Sequence, residues 1–278
     1  MAYILNDPTI FKIKPLTSFE VYKLSVEVFD NNFLPIRWIN SRLPSKYHLI
    51  DAMRCGHLKC VKYLVSKGHQ LKESYGPAYN GQLNILKYLH EQGYPMDLSI
   101  CKSAAFGGQL NILKYAFKHN FPWNVWACTL AAANGHLDCL IYLHENGCPW
   151  DKQTTYRAAA NGHLDCLKYA HEEGCEWDEC TCYAAVLNNH LDCLIYLHEQ
   201  GCPWDESTCN EAAFNGYLDC LIYAHENDCP WEINTCYWAA QNGHLDCLRY
   251  AIQEGCPYNM DAVKTNHKDI KLYLQTIV

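Results

Sequence analysis

At 278 residues the chain is long enough for two ordinary domains, and its 49% apolar content nowhere forms the unbroken run of about 18 apolar residues that a membrane-spanning helix needs. The formal net charge of −8 is unevenly spread: residues 1–72 hold 11 Lys or Arg against 5 Asp or Glu, and the other 206 residues hold 11 against 25. An acidic body is unsuited to gripping a nucleic-acid backbone, whose affinity comes from neutralised phosphates, so neither a nucleic acid nor a membrane is an expected partner.

The chain opens MAYILNDPTIFKIKP, where Asp7 and Pro8 interrupt any apolar core, so no secretory signal is expected and an intracellular, cytoplasmic location follows. Residues 1–44 fit no period, although FEVYKLSVEVF (Phe19–Phe29) is compatible with a helix. They are expected to be an N-terminal cap or a small docking element. Residues 45–278 are expected to be one repeat array with its own C-terminal cap.

The array repeats every 27 residues. The clearest copies begin at His136, His163, His190, Tyr217 and His244; one reads NGHLDCLIYLHENGCPWDKQTTYRAAA (Asn134–Ala160) and the next NGHLDCLKYAHEEGCEWDECTCYAAVL (Asn161–Leu187). Within a copy, Leu191, Leu194, Leu197 and His198 mark one side of a helix that stops at Gly201, since glycine suits the left-handed position after a helix end and Pro203 cannot extend the helix. After Trp204-Asp205 the pair Ser207-Thr208 is cap-like, and a compact second helix runs through Ala212-Ala213 to Asn215 and the turn at Gly216. In the preceding copy that turn is Asn188-Asn189, asparagine being tolerant of a positive φ. Two leucine columns, Leu83 to Leu245 and Leu86 to Leu248, run through seven units, and an alanine column, Ala104 to Ala239, lets neighbouring short helices approach closely. Helices of this length are marginal alone in water, so stacking must stabilise them. Upstream, Gln82 and Gln109 continue the step; downstream, Met260–Val278 compresses its first helix and ends in IKLYLQTIV, a capping end.

The stretch AAANGHLDCLIYLHENGC (Ala131–Cys148) resembles the ankyrin repeat. The unit is shorter than the ankyrin period of 33, lacking residues where ankyrins project a β-hairpin, here replaced by Cys-Pro-Trp-Asp. The short variety resembles the ankyrin families expanded in giant DNA viruses of amoebae, which implies a host-cytoplasmic site of action and allows the N-terminal segment to be an F-box-like helix pair. The expected fold is all-α: an ankyrin-like helix-turn-helix solenoid of about nine repeats with shortened hairpin loops. Leucine-rich repeats have similar periods, but their asparagine ladder is missing, the candidate column reading Asn146, Glu173, Gln200, Asn227, Glu254.

Eighteen cysteines fall into columns, among them Cys139, Cys166, Cys193, Cys220, Cys247 and Cys148, Cys175, Cys202, Cys229, Cys256. Equivalent positions on stacked helices lie roughly 8–10 Å apart, beyond the reach of a disulfide, so free thiols in a reducing compartment are expected. His136, Cys139, His144 and Cys148 are zinc-ligand types, yet other units carry Gln109, Ile112, Phe117 and Phe121 at the same places. A ligand is not exchanged for isoleucine or phenylalanine, whereas a core residue readily is. No metal, no cofactor and no enzymatic activity are expected, because an active site is one unrepeated constellation.

The residual expectation is a scaffold that binds a protein partner, a basic one by charge. Trp123, Trp150, Trp177, Trp204 and Trp231 form a column that either anchors an interface or closes over the adjacent helix pair. The resemblance to ankyrin stacks implies that the first-helix surface and the loop tips line the binding face, which singles out Trp126, Leu130, Arg157, Glu211 and Trp238 with Asp151, Asp178 and Asp205. An alternative is a self-associating structural or virion-associated component; a Cys/His metal protein is the third reading.

Overall fold

The computed structural model describes residues 46–68, 75–259 and 265–277. The reading of residues 1–44 as a cap or docking element, the helix expected over Phe19–Phe29 and the compressed segment 260–264 lie outside them. Among the described residues there are seventeen helices and no strand. The chain divides into two compact units, Met1–Pro122 and Trp123–Val278.

The first unit contains α1 (Lys46–Arg54), α2 (Leu58–Ser66), α3 (Tyr75–Tyr79), α4 (Leu83–Glu91), α5 (Leu98–Phe106) and α6 (Leu110–Lys118). Its first two pairs close over Leu49, Met53, Val61, Leu64, Ile85 and Leu89. The second unit has five helix pairs: α7 (Val125–Ala133) with α8 (Leu137–Glu145), α9 (Lys152–Ala160) with α10 (Leu164–Glu172), α11 (Glu179–Leu187) with α12 (Leu191–Glu199), α13 (Glu206–Asn215) with α14 (Leu218–Glu226), and α15 (Ile233–Asn242) with α16 (Leu245–Gln253). A single helix, α17 (Lys268–Thr276), follows. First helices pack on first helices along this unit, α7 on α9 through to α13 on α15, and second helices on second helices.

The periodic residues explain these contacts. Ala131, Ala158, Ala185, Ala212 and Ala239 are completely buried between successive first helices, where only a methyl fits. Leu140, Leu167, Leu194, Leu221 and Leu248 are buried on the second helices, whereas the leucine that opens each second helix, Leu191 for example, is only half-buried; the cysteine two residues on takes the inner place. One turn further, Leu143, Ala170, Leu197 and Ala224 alternate large with small, all of them buried, so that each leucine fills the space its alanine neighbours leave.

Both helices of a pair end in the same way. Gly201 stands in the left-handed region at φ 78°, its N–H donates to the His198 carbonyl, and the N–H of Cys202 donates to that of Leu197. This 5→2 and 6→1 pattern is a Schellman motif, with Cys202 and Leu197 buried together. The first helix α9 closes likewise through Gly162, and there the glycine is doubly required, because a Cβ would collide with the ring of His190 from the next pair. The same overlap recurs at Gly135, where a Cβ would stand 2.6 Å from Nδ1 of His163. The columns of turn glycine and following histidine are thus one packing unit. Among the turns that close the described first helices of this second unit, the one that lacks glycine, at Asn189 (φ 63°), is the one followed by Tyr217 in place of histidine.

Candidate functional site

The residues singled out from the sequence sit on the outer side of the first helices. Positions three, four, seven and eight of such a helix are buried, as Thr208, Cys209, Ala212 and Ala213 are in α13, which turns positions two, five, six and nine outward. Trp126, second in α7, is 47% exposed, and Trp238, sixth in α15, is 37% exposed. Leu130 and Glu211 are half-buried, and Arg157 is exposed beside the Tyr156 ring. Ala184, of the same column as Arg157, is completely buried and offers nothing to a partner. The structure also brings in residues the sequence argument passed over: Phe214 (41% exposed), Ile233 (42% exposed), and the half-buried Tyr237 and Tyr183, of which i, i+3 counting from Glu211 reaches Phe214.

The aspartate column is placed at helix starts. Asp151 caps α9 by accepting the Gln153 N–H at 2.9 Å, and Asp205 caps α13 by accepting the Ser207 N–H at 3.0 Å as well as its hydroxyl. Asp178 forms a capping box with Thr181 and also pairs with Lys152 Nζ at 2.7 Å. The cap-like pair expected at Ser207-Thr208 is therefore corrected: Asp205 is the cap, since its carboxylate reaches the free N–H groups of the first turn, while Thr208 is buried with its hydroxyl unpartnered.

The tryptophan column is engaged in packing. The indoles of Trp150, Trp177 and Trp231 lie flat on His144, His171 and His225 at 3.7 Å between ring centres, and Trp204 lies on His198 at 4.2 Å. Each of these histidines shares a hydrogen bond through Nδ1 with a tyrosine of the next pair, Tyr169, Tyr196, Tyr223 and Tyr250, at 2.9–3.0 Å. The indole edge meets the same tyrosine. Histidine, tryptophan and tyrosine thereby tie consecutive pairs together where a hairpin is lacking.

All eighteen cysteines are free, sixteen of them buried. Their sulfur neighbours lie across the columns: Cys128 contacts Cys148, Cys182 contacts Cys202, Cys209 contacts Cys229 and Cys236 contacts Cys256. The second member of each pair also donates to the carbonyl of a helix-capping residue, Cys202 Sγ to Asp178 at 3.4 Å for instance. Burial pushes the thiols of Cys166, Cys193 and Cys220 up to about 12, so they stay protonated at neutral pH and act as core filler. Among the described residues no three His, Cys, Asp or Glu side chains converge to hold a metal ion, and no helix is long and apolar enough to cross a membrane.

Burial also disfavours the imidazolium of His163 and His171, lowering both from the free value of 6.5. Just below that value the unfolded chain binds more protons than the folded one, so the histidine contribution is complete above about pH 6.5 and is lost as pH falls beneath it. Melting temperature is expected to drop on acidification from about pH 7.5 to about pH 5.5, and to drop less steeply in the double variant His163→Gln, His171→Gln. Equal slopes for both proteins would show that these rings do not set the acid response.

Two-helix units with Ala-rich first helices, leucine-lined second helices and glycine-closed turns define an ankyrin-like helical repeat. A model of the family described as "Ankyrin repeats (many copies)" matches residues 128–171 and again 155–198, a segment that begins in α7 and runs through α12. No curated protein matches the chain.

Proposed function

We propose that this chain is a non-enzymatic scaffold that recruits a protein partner on the outer side of its first helices, through Trp126, Leu130, Arg157, Glu211 and Trp238, with Asp151, Asp178 and Asp205 at the margin. Ankyrin repeats generally mediate protein–protein interaction. The observation that carries the reading here is the exposure of Trp126 and Trp238 on helices whose other faces are alanine, cysteine and threonine: large aromatic rings left in water are the usual anchors of an interface. Residues 45–278 form the recruiting array in this view, and residues 1–44 are a cap or docking element. The setting is the cytoplasm, that of the host if the chain is a viral factor acting on host proteins.

Cross-linking of the full chain in cell extract, followed by mass spectrometry, tests this directly. Partners should cross-link next to α7 and α15 and be lost from Trp126→Ala, Trp238→Ala. Partners retained by that variant would move the surface elsewhere. Concentration-dependent assembly in light scattering, abolished by the same variant, would mean that copies of the chain bind one another instead.

A further inference from the structure

Between Lys168 and Arg249 the sequence runs 80 residues without a single Lys or Arg, and the same stretch holds 15 Asp or Glu. It contains α11 to α15 and so surrounds the exposed aromatic residues at that end of the second unit. There Phe214 and Trp238 meet edge to face, 5.5 Å between ring centres, and Tyr237 lies against Trp238 at 5.0 Å. One helix earlier in the column of Trp238 is Glu211. Its carboxylate is oriented by Asn215, whose Nδ2 donates to Oε1 at 2.7 Å, and the Tyr183 hydroxyl of α11 lies near the same group. Glu179, Glu206 and Glu232 add further carboxylates at the starts of α11, α13 and the cap of α15.

A hydrogen-bonded carboxylate one helix before a partly exposed indole, in a stretch of sequence that carries no Lys or Arg of its own, matches one side-chain chemistry above others. A guanidinium can pair with the carboxylate through its N–H fork while its plane lies on the indole, and it is more weakly hydrated than an ammonium and so easier to bring against a ring. We infer that the Glu211–Phe214–Trp238 patch is an arginine-recognition site, and that its occupant is a basic segment of a partner protein whose central arginine stacks on Trp238 and pairs with Glu211. Flanking lysines or arginines of that segment meet Glu179, Glu206 and Glu232. The inference rests on the scaffold reading above and adds the chemistry of the partner.

The test uses the full chain as bait for a phage-displayed library of random linear peptides, followed by affinity measurement on a selected peptide. Selected sequences should be rich in arginine; replacing the central arginine by lysine should weaken binding, and Glu211→Gln or Trp238→Ala should each weaken it about tenfold or more. Trp238 is exposed and Glu211 half-buried, and circular dichroism on each variant separates lost binding from lost folding; Trp238→Phe, which keeps a ring, should be intermediate. Selection of acidic or purely apolar peptides would overturn the arginine site and leave the scaffold reading intact. Arginine-rich peptides bound equally by wild type and both variants would overturn its location. If no peptide is enriched while a partner still cross-links to the first helices, the arginine site falls alone; if neither occurs, both readings fall. Self-assembly abolished by Trp238→Ala would make a second copy the occupant and equally overturn the proposal.

Discussion

Leu194→Ala is expected to destabilise the chain by about 2–5 kcal/mol, the cost of truncating a fully buried leucine and leaving its space unfilled. Leu194 lies in the middle of α12, and the positions equivalent to it in the second unit's other helix pairs, Leu140, Leu167, Leu221 and Leu248, are all leucine and all buried, with no smaller residue among them to which the packing has adapted. Relaxation into the cavity would need a helix to move relative to neighbours that its alanines already hold at close range, so the value should fall in the upper part of the interval. Arg157→Ala is the matched control. Its side chain is exposed, its recorded contact is with the ring of the adjacent Tyr156, and its loss should change stability by no more than about 0.5 kcal/mol. Urea melts of the two variants give the comparison; a similar loss for both would mean that the inner and outer sides of the helices are wrongly assigned. Since an array shares its stability among neighbours, the Leu194 effect should also spread to amide protection in α10 and α14, which flank α12.

The alternation of helix pairs could be read from the sequence because each boundary carries a residue with one physical use: glycine at the left-handed position, proline just beyond it, and leucine at the start of each second helix. The alanine column announced close helix contact for the same reason, since a methyl side chain has no other advantage repeated at every unit. What escaped the sequence was pairing between columns. The distance argument that kept the cysteines of one column apart was sound, but Cys182 meets Cys202 and Cys209 meets Cys229, positions 20 apart that a search at the repeat period does not compare. The tryptophans kept two readings for a like reason: His198 lies six residues before Trp204 and 25 before Tyr223, and neither interval is the period. Aspartate at the cap competed with Ser207 and Thr208, which are equally good cap residues by type, and the extended backbone of Asp205 decided the matter. The surface was half legible. Trp126 and the column of Leu130, Arg157, Glu211 and Trp238 were reached through the resemblance to ankyrin stacks, whereas Phe214 and Tyr237 joined them only when the helix was seen to expose position nine of one pair next to positions five and six of the following one.

The coupling of turn residue and following ring supplies the second large effect. Gly162→Asn places a Cβ against the ring of His190, while the backbone itself can accept asparagine, as Asn189 at φ 63° demonstrates. The loss should therefore come mainly from the collision, and a forced shift of a packed side chain costs about 1–3 kcal/mol. His190→Tyr alone should also destabilise, because a tyrosine would be laid over a turn shaped for imidazole. In the double variant both changes recreate the pair found naturally one unit later, Asn189 with Tyr217. There the Asn189 amide oxygen accepts from Cys220 Sγ at 3.4 Å, and Cys193 occupies the equivalent place for the side-chain amide introduced by Gly162→Asn. The double variant should thus be more stable than the sum of the single losses predicts, with a coupling of about 1 kcal/mol or more in a thermodynamic cycle. Simple additivity would mean that Asn189 and Tyr217 occur together without physical connection, and that His190 can leave Gly162 at no cost.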